Sequence, residues 1–263
     1  MIKNKNIEMI NKLSRYVQPF VFVFLLLAAW YVAVQEGLAD RFILPSPVDV
    51  IAAFGSMFPA ILNSAAITLY EAVAGLLISV FLAVLLAMAM DNFIMLKKAI
   101  YPILVISQTI PIIALAPLFT IWFGFGMLPK VLVVVLVCFF PVVVSLLEGF
   151  DSVDNDLLIM LRSMGAGKID ILRHVKVPAS LPAFFGGLRI ASTYSVMGAV
   201  IGEWLGGDAG LGVYMMRVRQ SFALDRFFAV IAVVVILSFL LFSAVVFIQR
   251  ISMPWYNMQK AQK

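Results

Sequence analysis

Very little in this sequence could hold a metal, a nucleotide or a redox centre. One cysteine, Cys138, sits in an apolar run, so a disulfide within the chain is excluded and no thiolate metal site is indicated. One histidine, His174, stands among basic residues, where a solvated side chain is the plain reading. Charge is scarce too: 13% of residues are charged and 63% are hydrophobic, with a mean hydropathy of +1.07. A soluble domain is nearer half apolar, so a surface covered by water is excluded. The chain reads as an all-α, polytopic membrane protein. Its formal net charge of +5 then reports membrane orientation, with no nucleic-acid partner. Fourteen Met and twenty-two Phe suit a bundle in contact with the lipid bilayer and mark no site.

A complete phosphate-binding loop is also missing. Gly165-Ala166-Gly167-Lys168 matches the tail of G-x-x-x-x-G-K-[ST], but Arg162 stands at the opening Gly and Ile169 at the magnesium-binding hydroxyl. ATP binding by this chain is therefore rejected, and no cofactor is expected.

What is present is a set of apolar runs. Six spans are expected, over residues 17–35, 61–90, 99–123, 131–148, 183–205 and 227–249, to cross a hydrocarbon core of about 30 Å. A cleaved signal peptide is the rival reading of the first; the run is long for one and no clear A-x-A site follows. Residues 36–60 read as a loop punctuated by Leu44-Pro-Ser-Pro47, with a short surface helix after Pro47. Three prolines in the third span, Pro102, Pro111 and Pro117, mean kinks and freed carbonyls, tolerated where protein or a water-lined path satisfies them. Gln108 and Thr109 precede Pro111, and the span is read as part of a substrate path rather than a merely bent helix. Pro141 is expected to break the fourth span. The fifth carries Gly198-x-x-x-Gly202, whose small residues let backbones approach closely near a pore or a dimer seam. Gln108, Tyr194 and Glu203 are the candidates for lining the path.

Ionisable residues in the spans are few. Glu71 is costly in lipid and is by default a functional candidate; the plainer reading sets it at headgroup level or pairs it with Arg189. Arg217, Arg219 and Arg226 cluster near the last span, where they contact an extracellular partner or an anion, or pair with Asp208 and Asp225. With both termini inside, cytoplasmic segments hold thirteen Lys and Arg: Lys3, Lys5, Lys12, Arg15, Lys97, Lys98, Arg162, Lys168, Arg173, Lys176, Arg250, Lys260 and Lys263. External segments hold five, Arg41, Lys130, Arg217, Arg219 and Arg226, as the positive-inside rule requires.

The longest polar break, Asp156–Pro182, joins spans four and five on the cytoplasmic side. Apolar residues recur in it at helical spacing: Leu157, Leu161 and Met164, then Ile169, Leu172 and Val175. Asp151, Ser152 and Asp154 are candidate N-caps. Gly165-Ala-Gly167 favours a tight turn because Gly accepts positive φ. Pro178 and Pro182 are expected to stop the second half and restart a helix. The pattern is two short amphipathic helices on a Gly elbow, either a docking element or a loop lying on lipid headgroups.

These residues resemble the cytoplasmic EAA loop of permease subunits of ABC importers, roughly EAA-x3-G-x9-I-x-LP. Arg162-Ser-Met-Gly-Ala166 resembles its R-S-L-G-A, Gly165 falls on its Gly, and Val175-Lys-Val-Pro178 matches I-x-L-P. Ile159-Met160-Leu161 stands where the family usually has Glu-Ala-Ala. Leu44-Pro-Ser-Pro47, Ile110-Pro111 through Gly124, and Ala191–Gly206 are similar to the sulfonate, taurine, nitrate and pyrimidine-precursor subgroup. The resemblance implies a permease domain over 61–250, preceded by an N-terminal segment, first helix and external loop over 1–60 and followed by a cytoplasmic tail over 251–263. It implies that Arg162, Ser163, Met164, Gly165, Ala166 and Lys168 contact the ATPase. It further implies two ATPase subunits that bind the ATP, a second permease copy in a homodimer, an extracellular or periplasmic binding protein, and a bacterial-type inner membrane. The implied solute is small and polar, a thiamine pyrimidine precursor of the hydroxymethylpyrimidine type, with sulfonate, taurine or nitrate as the alternative. A stand-alone secondary transporter is the rival of another class, although no convincing internal repeat is visible. A membrane-embedded enzyme would need converging acid, base or metal groups, which the spacing of Glu148, His174 and Glu203 does not offer.

Overall fold

The structure, a computed structural model, describes residues 2–254, with side chains from residue 17 onward. Lys3, Lys5, Lys12, Arg15, Lys260 and Lys263, which enter the orientation count, lie outside the described side chains, as does most of the tail expected over 251–263. Among the described residues there are ten α-helices and no strand. They are α1 Ile2–Gln35, α2 Pro47–Asn92, α3 Ile94–Ser107, α4 Ile112–Phe123, α5 Met127–Asp151, α6 Asn155–Ser163, α7 Lys168–Ile171, α8 Val177–Gly206, α9 Leu211–Gln220 and α10 Leu224–Ser252. Five helical segments are long and apolar enough to cross a membrane, or six if the bent pair α3–α4 counts as one. Their outward faces are apolar, as at Phe20 and Ile121, 77% and 76% exposed, which suits lipid as the solvent.

Two compact units divide the chain, residues 1–58 with 217–231, and residues 59–216 with 232–263. In the first, the rings of Trp30 and Phe228 lie 5.9 Å apart. The start of α2 is a capping box: Ser46 Oγ accepts from the Asp49 N–H at 3.2 Å, and the Asp49 carboxylate accepts from the Ser46 N–H at 3.1 Å. Pro47 occupies N1, where its missing N–H costs nothing. Arg41 clamps the same carboxylate through two bonds of 2.9 and 2.7 Å.

The loop expected over 36–60 is therefore much shorter, and no separate surface helix follows Pro47. One helix of 46 residues runs from there to Asn92. The buried stripe Ala53, Met57, Ile61 and Ala65 keeps helical spacing straight through Pro59, so packing holds the register across the lost hydrogen bond. At 1.5 Å per residue α2 is about 70 Å long, more than twice a hydrocarbon core.

The second unit is built on an antiparallel seam of α5 and α8. A Cβ on Gly149 would meet Ser180, one on Gly187 the Pro141 carbonyl and Ser145, one on Gly198 the Val134 backbone, and one on Gly202 the Lys130 backbone. The Gly198-x-x-x-Gly202 pair thus faces α5 of the same chain, which corrects the dimer-seam reading. Small residues fit because the backbones approach within reach of a single methyl group. Cys138 Sγ donates to the Ala191 carbonyl at 3.2 Å across this seam. Pro141 does not break the span: α5 is continuous over 25 residues. Toward the other end of α8, Phe185 packs with Val245 and Met253 of the α10 end.

Two adjacent glycines isolate the seam's contribution. Nothing lies within 4 Å of a Cβ on Gly186, whereas at Gly187 backbone oxygen blocks it. Gly186→Ala should leave the thermal midpoint of the detergent-purified protein unchanged or raise it by a gain of up to about 1 kcal/mol in helix propensity. Gly187→Ala should lower the midpoint, by an overpacking cost of about 1–3 kcal/mol.

Candidate functional site

The polar break after α5 folds as a helical hairpin. Asp154 caps α6, its side chain accepting from the Asp156 N–H at 2.8 Å; Asp151 and Ser152, the other candidates, lie at the end of α5. The C-terminus of α6 closes as a Schellman motif. The Ala166 N–H reaches the Leu161 carbonyl and the Gly165 N–H the Arg162 carbonyl, both at 3.0 Å. Gly165 takes φ +89°, the conformation that this motif reserves for glycine.

The arms close on a small core of Val153, Leu158 and Ile171, with Leu161, Ala166 and Val175 against it. Of the expected stripe, Leu161, Leu172 and Val175 face inward, while Leu157 is exposed. Met164 and Ile169 point outward, 75% and 77% exposed. Pro178 does not stop the second arm: α7 runs through a π-helical turn, Leu172–Lys176, into α8. The Val177 N–H bonds back to the Leu172 carbonyl, so the extra residue takes up the register that Pro178 would otherwise disrupt.

Arg162, Ser163, Met164, Gly165, Ala166 and Lys168 are brought together at this elbow. Arg162 and Lys168 also line a cavity of about 140 Å³ with Asp91, Asn92 and Lys176. Lys176 pairs with Asp91 and Lys97 with Asp151, each at 2.6 Å, tying the ends of α2, α3 and α5 to the hairpin.

The expected third span is in fact two helices. α3 and α4 meet at 101° across residues 108–111. Pro111 removes a donor and pushes Ile110 away from helical ψ, which ends α3 and lets a new helix begin. Thr109 Oγ1 and Ser107 Oγ donate to the carbonyls of Ile106 and Leu104, both at 2.7 Å, and the Ser107 carbonyl, which Pro111 cannot serve, accepts from the Ile110 N–H at 3.2 Å.

A cavity of about 390 Å³ opens at the break, lined by Gln108, Thr109 and Pro111, by Phe140 of α5, and by Tyr194 and Met197 of α8. Its lining carries no ionised side chain. Gln108 and Tyr194 therefore share one cavity, and Glu203 does not.

Glu203 is 1% exposed at the opposite end of the seam from the hairpin. Its Oε1 accepts from Thr68 Oγ1 at 2.6 Å and its Oε2 from the Gly212 N–H. Thr68 Oγ1 in turn accepts from the Leu211 N–H at 2.8 Å, so residues of α2 and α8 jointly cap α9. A Cβ at Gly210, φ +117°, would overlap the Glu203 carboxylate.

One turn along α2, Glu71 is 2% exposed and binds Lys130 Nζ at 2.8 Å. That replaces the pairing of Glu71 with Arg189, which instead donates to the Phe185 carbonyl at 3.3 Å. Asp208, expected beside the Arg cluster, lies 3.6 Å from Lys130. Sequence reasoning placed Lys130 in an external loop and missed it. The signal was there: a cation at the mouth of an apolar run, beside a buried carboxylate in need of one.

Residues 75–253 match the family model described as binding-protein-dependent transport system inner membrane component. The chain is 35% identical over 251 residues to the formylaminopyrimidine transport permease protein ThiX of Halalkalibacterium halodurans, covering 92% of this chain and 97% of that one. It is 31% identical over 252 residues to the riboflavin transport system permease protein RibX of Chloroflexus aurantiacus, covering 94% of each. It is 29% identical over 239 residues to the taurine transport system permease protein TauC of Escherichia coli, covering 88% and 87%. In fold it is similar to a chain from inward-facing conformations of the MetNI methionine ABC transporter, with a TM-score of 0.59 at 21% identity, covering 74% of this chain and 94% of that one.

The lone thiol allows a direct check of the cavity. Cys138 is fully buried, so the native protein should resist a water-soluble maleimide until it is denatured. Gln108→Cys should label in the native state. A Gln108→Cys protein as unreactive as the parent would show that the cavity is closed to water.

Proposed function

The chain belongs to the family of binding-protein-dependent transport system inner membrane components, and from that premise we propose that it carries a small uncharged aminopyrimidine along a path at the α3–α4 break. It is a permease subunit of an ABC importer, a multi-pass transport component rather than an enzyme. Such a permease works with an ATPase and a substrate-binding protein. Two copies of this chain pair as a homodimer, and two ATPase subunits hold the ATP. The hairpin end is cytoplasmic, as are both termini, because Lys97, Lys98, Arg162, Lys168, Arg173 and Lys176 gather there.

The observation that carries the solute reading is the 35% identity to a formylaminopyrimidine permease over nearly the whole of both chains. The cavity supports it. Gln108, Thr109 and Tyr194 offer hydrogen bonds, Phe140 an aromatic face, and nothing ionised faces the space. A sulfonate there would lie without a countercharge, at a cost of several kcal/mol. The taurine permease relative keeps the sulfonate alternative in view. Cells expressing the importer should take up a labelled aminopyrimidine, and excess taurine should leave that uptake unchanged. Uptake of labelled taurine, with no uptake of the pyrimidine, would transfer the assignment to sulfonates.

The elbow of Arg162, Ser163, Met164, Gly165, Ala166 and Lys168 is the ATPase contact. Met164 and Ile169 give it an apolar tip, flanked by Arg162 and Lys168. ATP-driven closure of the ATPases moves the hairpin, and the continuous run from α7 into α8 passes that motion to the seam. Gly165→Val puts a β-branched residue at φ +89°, a strain of about 1–3 kcal/mol confined to the elbow. The variant should insert in the membrane in normal amounts, yet lose ATPase co-purification or ATP-driven uptake. Uptake at the parent rate would remove the elbow from the contact.

A further inference from the structure

The buried group at the far end of the seam is one positive charge short. Glu71 and Glu203 are 2% and 1% exposed, and Lys130, 3% exposed, is the one buried cation beside them. Thr68 and Glu71 are three residues apart on α2, so they share a face. Because Thr68 Oγ1 bonds Glu203, that face brings the two carboxyl groups together, and they interact directly.

The bonds are unequally shared. Both oxygens of Glu203 have partners, Thr68 Oγ1 and the Gly212 N–H. Glu71 accepts on Oε1 from Lys130, while its Oε2 is buried with no partner. The other groups facing the pair do not supply the missing charge. Asp208, 3.6 Å from Lys130, is itself an acid and 90% exposed; α9 contributes the amides of Leu211 and Gly212.

We infer that Glu71 and Glu203 hold one proton between them, making the junction of α2, α5, α8 and α9 a proton-binding lock. The proton lies between Glu71 Oε2 and the Glu203 carboxyl, carried by one and accepted by the other. That single addition answers both anomalies. The orphaned oxygen gains a partner, and one shared negative charge stands against Lys130, so the buried group is neutral. Two carboxyl groups in contact share a proton because both cannot ionise side by side in a poorly solvated site. The bound proton is what lets Glu203 keep its hold on the first turn of α9. Removing it sets two anions against one cation and loosens that cap. The lock does not depend on which solute the importer carries.

The test uses the full chain in lipid nanodiscs. As pH is raised from mildly acidic to alkaline, the parent's thermal midpoint should fall. Glu71→Gln reproduces the protonated carboxyl, with an N–H to give Glu203 and an oxygen to accept from Lys130, so its midpoint should stay flat. Infrared spectroscopy with carbon-13-labelled glutamate should show a protonated-carboxyl band in the parent that bleaches with alkali and is missing from Glu71→Gln. Should Glu71→Gln fail to fold, Glu203→Gln provides the second case: one carboxylate against Lys130, hence a flat profile from a lower starting midpoint. Parallel pH profiles for parent and variants, or an infrared band that both Gln variants retain, would overturn the inference. So would recovery of the alkaline midpoint by sodium or potassium in place of choline, which would make the occupant a metal cation.

Discussion

The approach of α5 to α8 is the contact on which the rest of the permease unit depends. Gly149, Gly187, Gly198 and Gly202 take successive positions along it, and at each a Cβ would collide with the facing helix. In lipid, helices gain little from hiding apolar surface, since the solvent is equally apolar; closeness and shape complementarity hold them instead. The seam runs from the hairpin at one end to the capped α9 at the other. Side chains that sequence separates by 135 positions, such as Thr68 and Glu203, meet at its far end. The cavity at the α3–α4 break lies along its flank, with Phe140 from one helix and Tyr194 from the other.

Breaks in the helices are where this protein departs from mere spanning. The α3–α4 corner exposes Gln108 and Thr109 beside freed backbone groups, an arrangement that lipid tolerates only against protein or a water-filled space. The π-helical turn before Pro178 does the opposite. It absorbs a would-be break and keeps α7 and α8 mechanically continuous. One proline-bearing segment thus becomes a corner and the other a splice, and what decides is whether neighbouring residues can re-register the backbone.

Much of this was legible in the sequence. Apolar length gave most of the spans, and Gly165 gave the hairpin's elbow, because both rest on local chemistry. Local chemistry also misled. Leu44-Pro-Ser-Pro47 suggested a loop over 36–60, yet the Ser46–Asp49 box starts a helix at Pro47 that continues past Pro59. Pro141 suggested a break that seam packing suppresses. Glu71 raised the right question, but its partner was invisible, since Lys130 lies 59 positions away and only the packing of α2 on α5 joins them. Gln108 and Tyr194 were chosen separately, and only the fold places them in one cavity.

The elbow's shape is held by main-chain bonds: the two Schellman hydrogen bonds and one glycine. No exposed side chain is needed to maintain it. Geometry and surface identity are therefore written in different residues and can evolve separately. Ile159, Met160 and Met164 are exposed, and their side chains take no part in those bonds, which is how Ile-Met-Leu can stand in place of Glu-Ala-Ala without unmaking the turn. Such an element behaves as an interchangeable plug. Under the ATPase contact proposed for the elbow, its form would be common property and its facing would select the socket, so that a cell with several importers of one fold could keep their energy supplies apart by recolouring a few side chains.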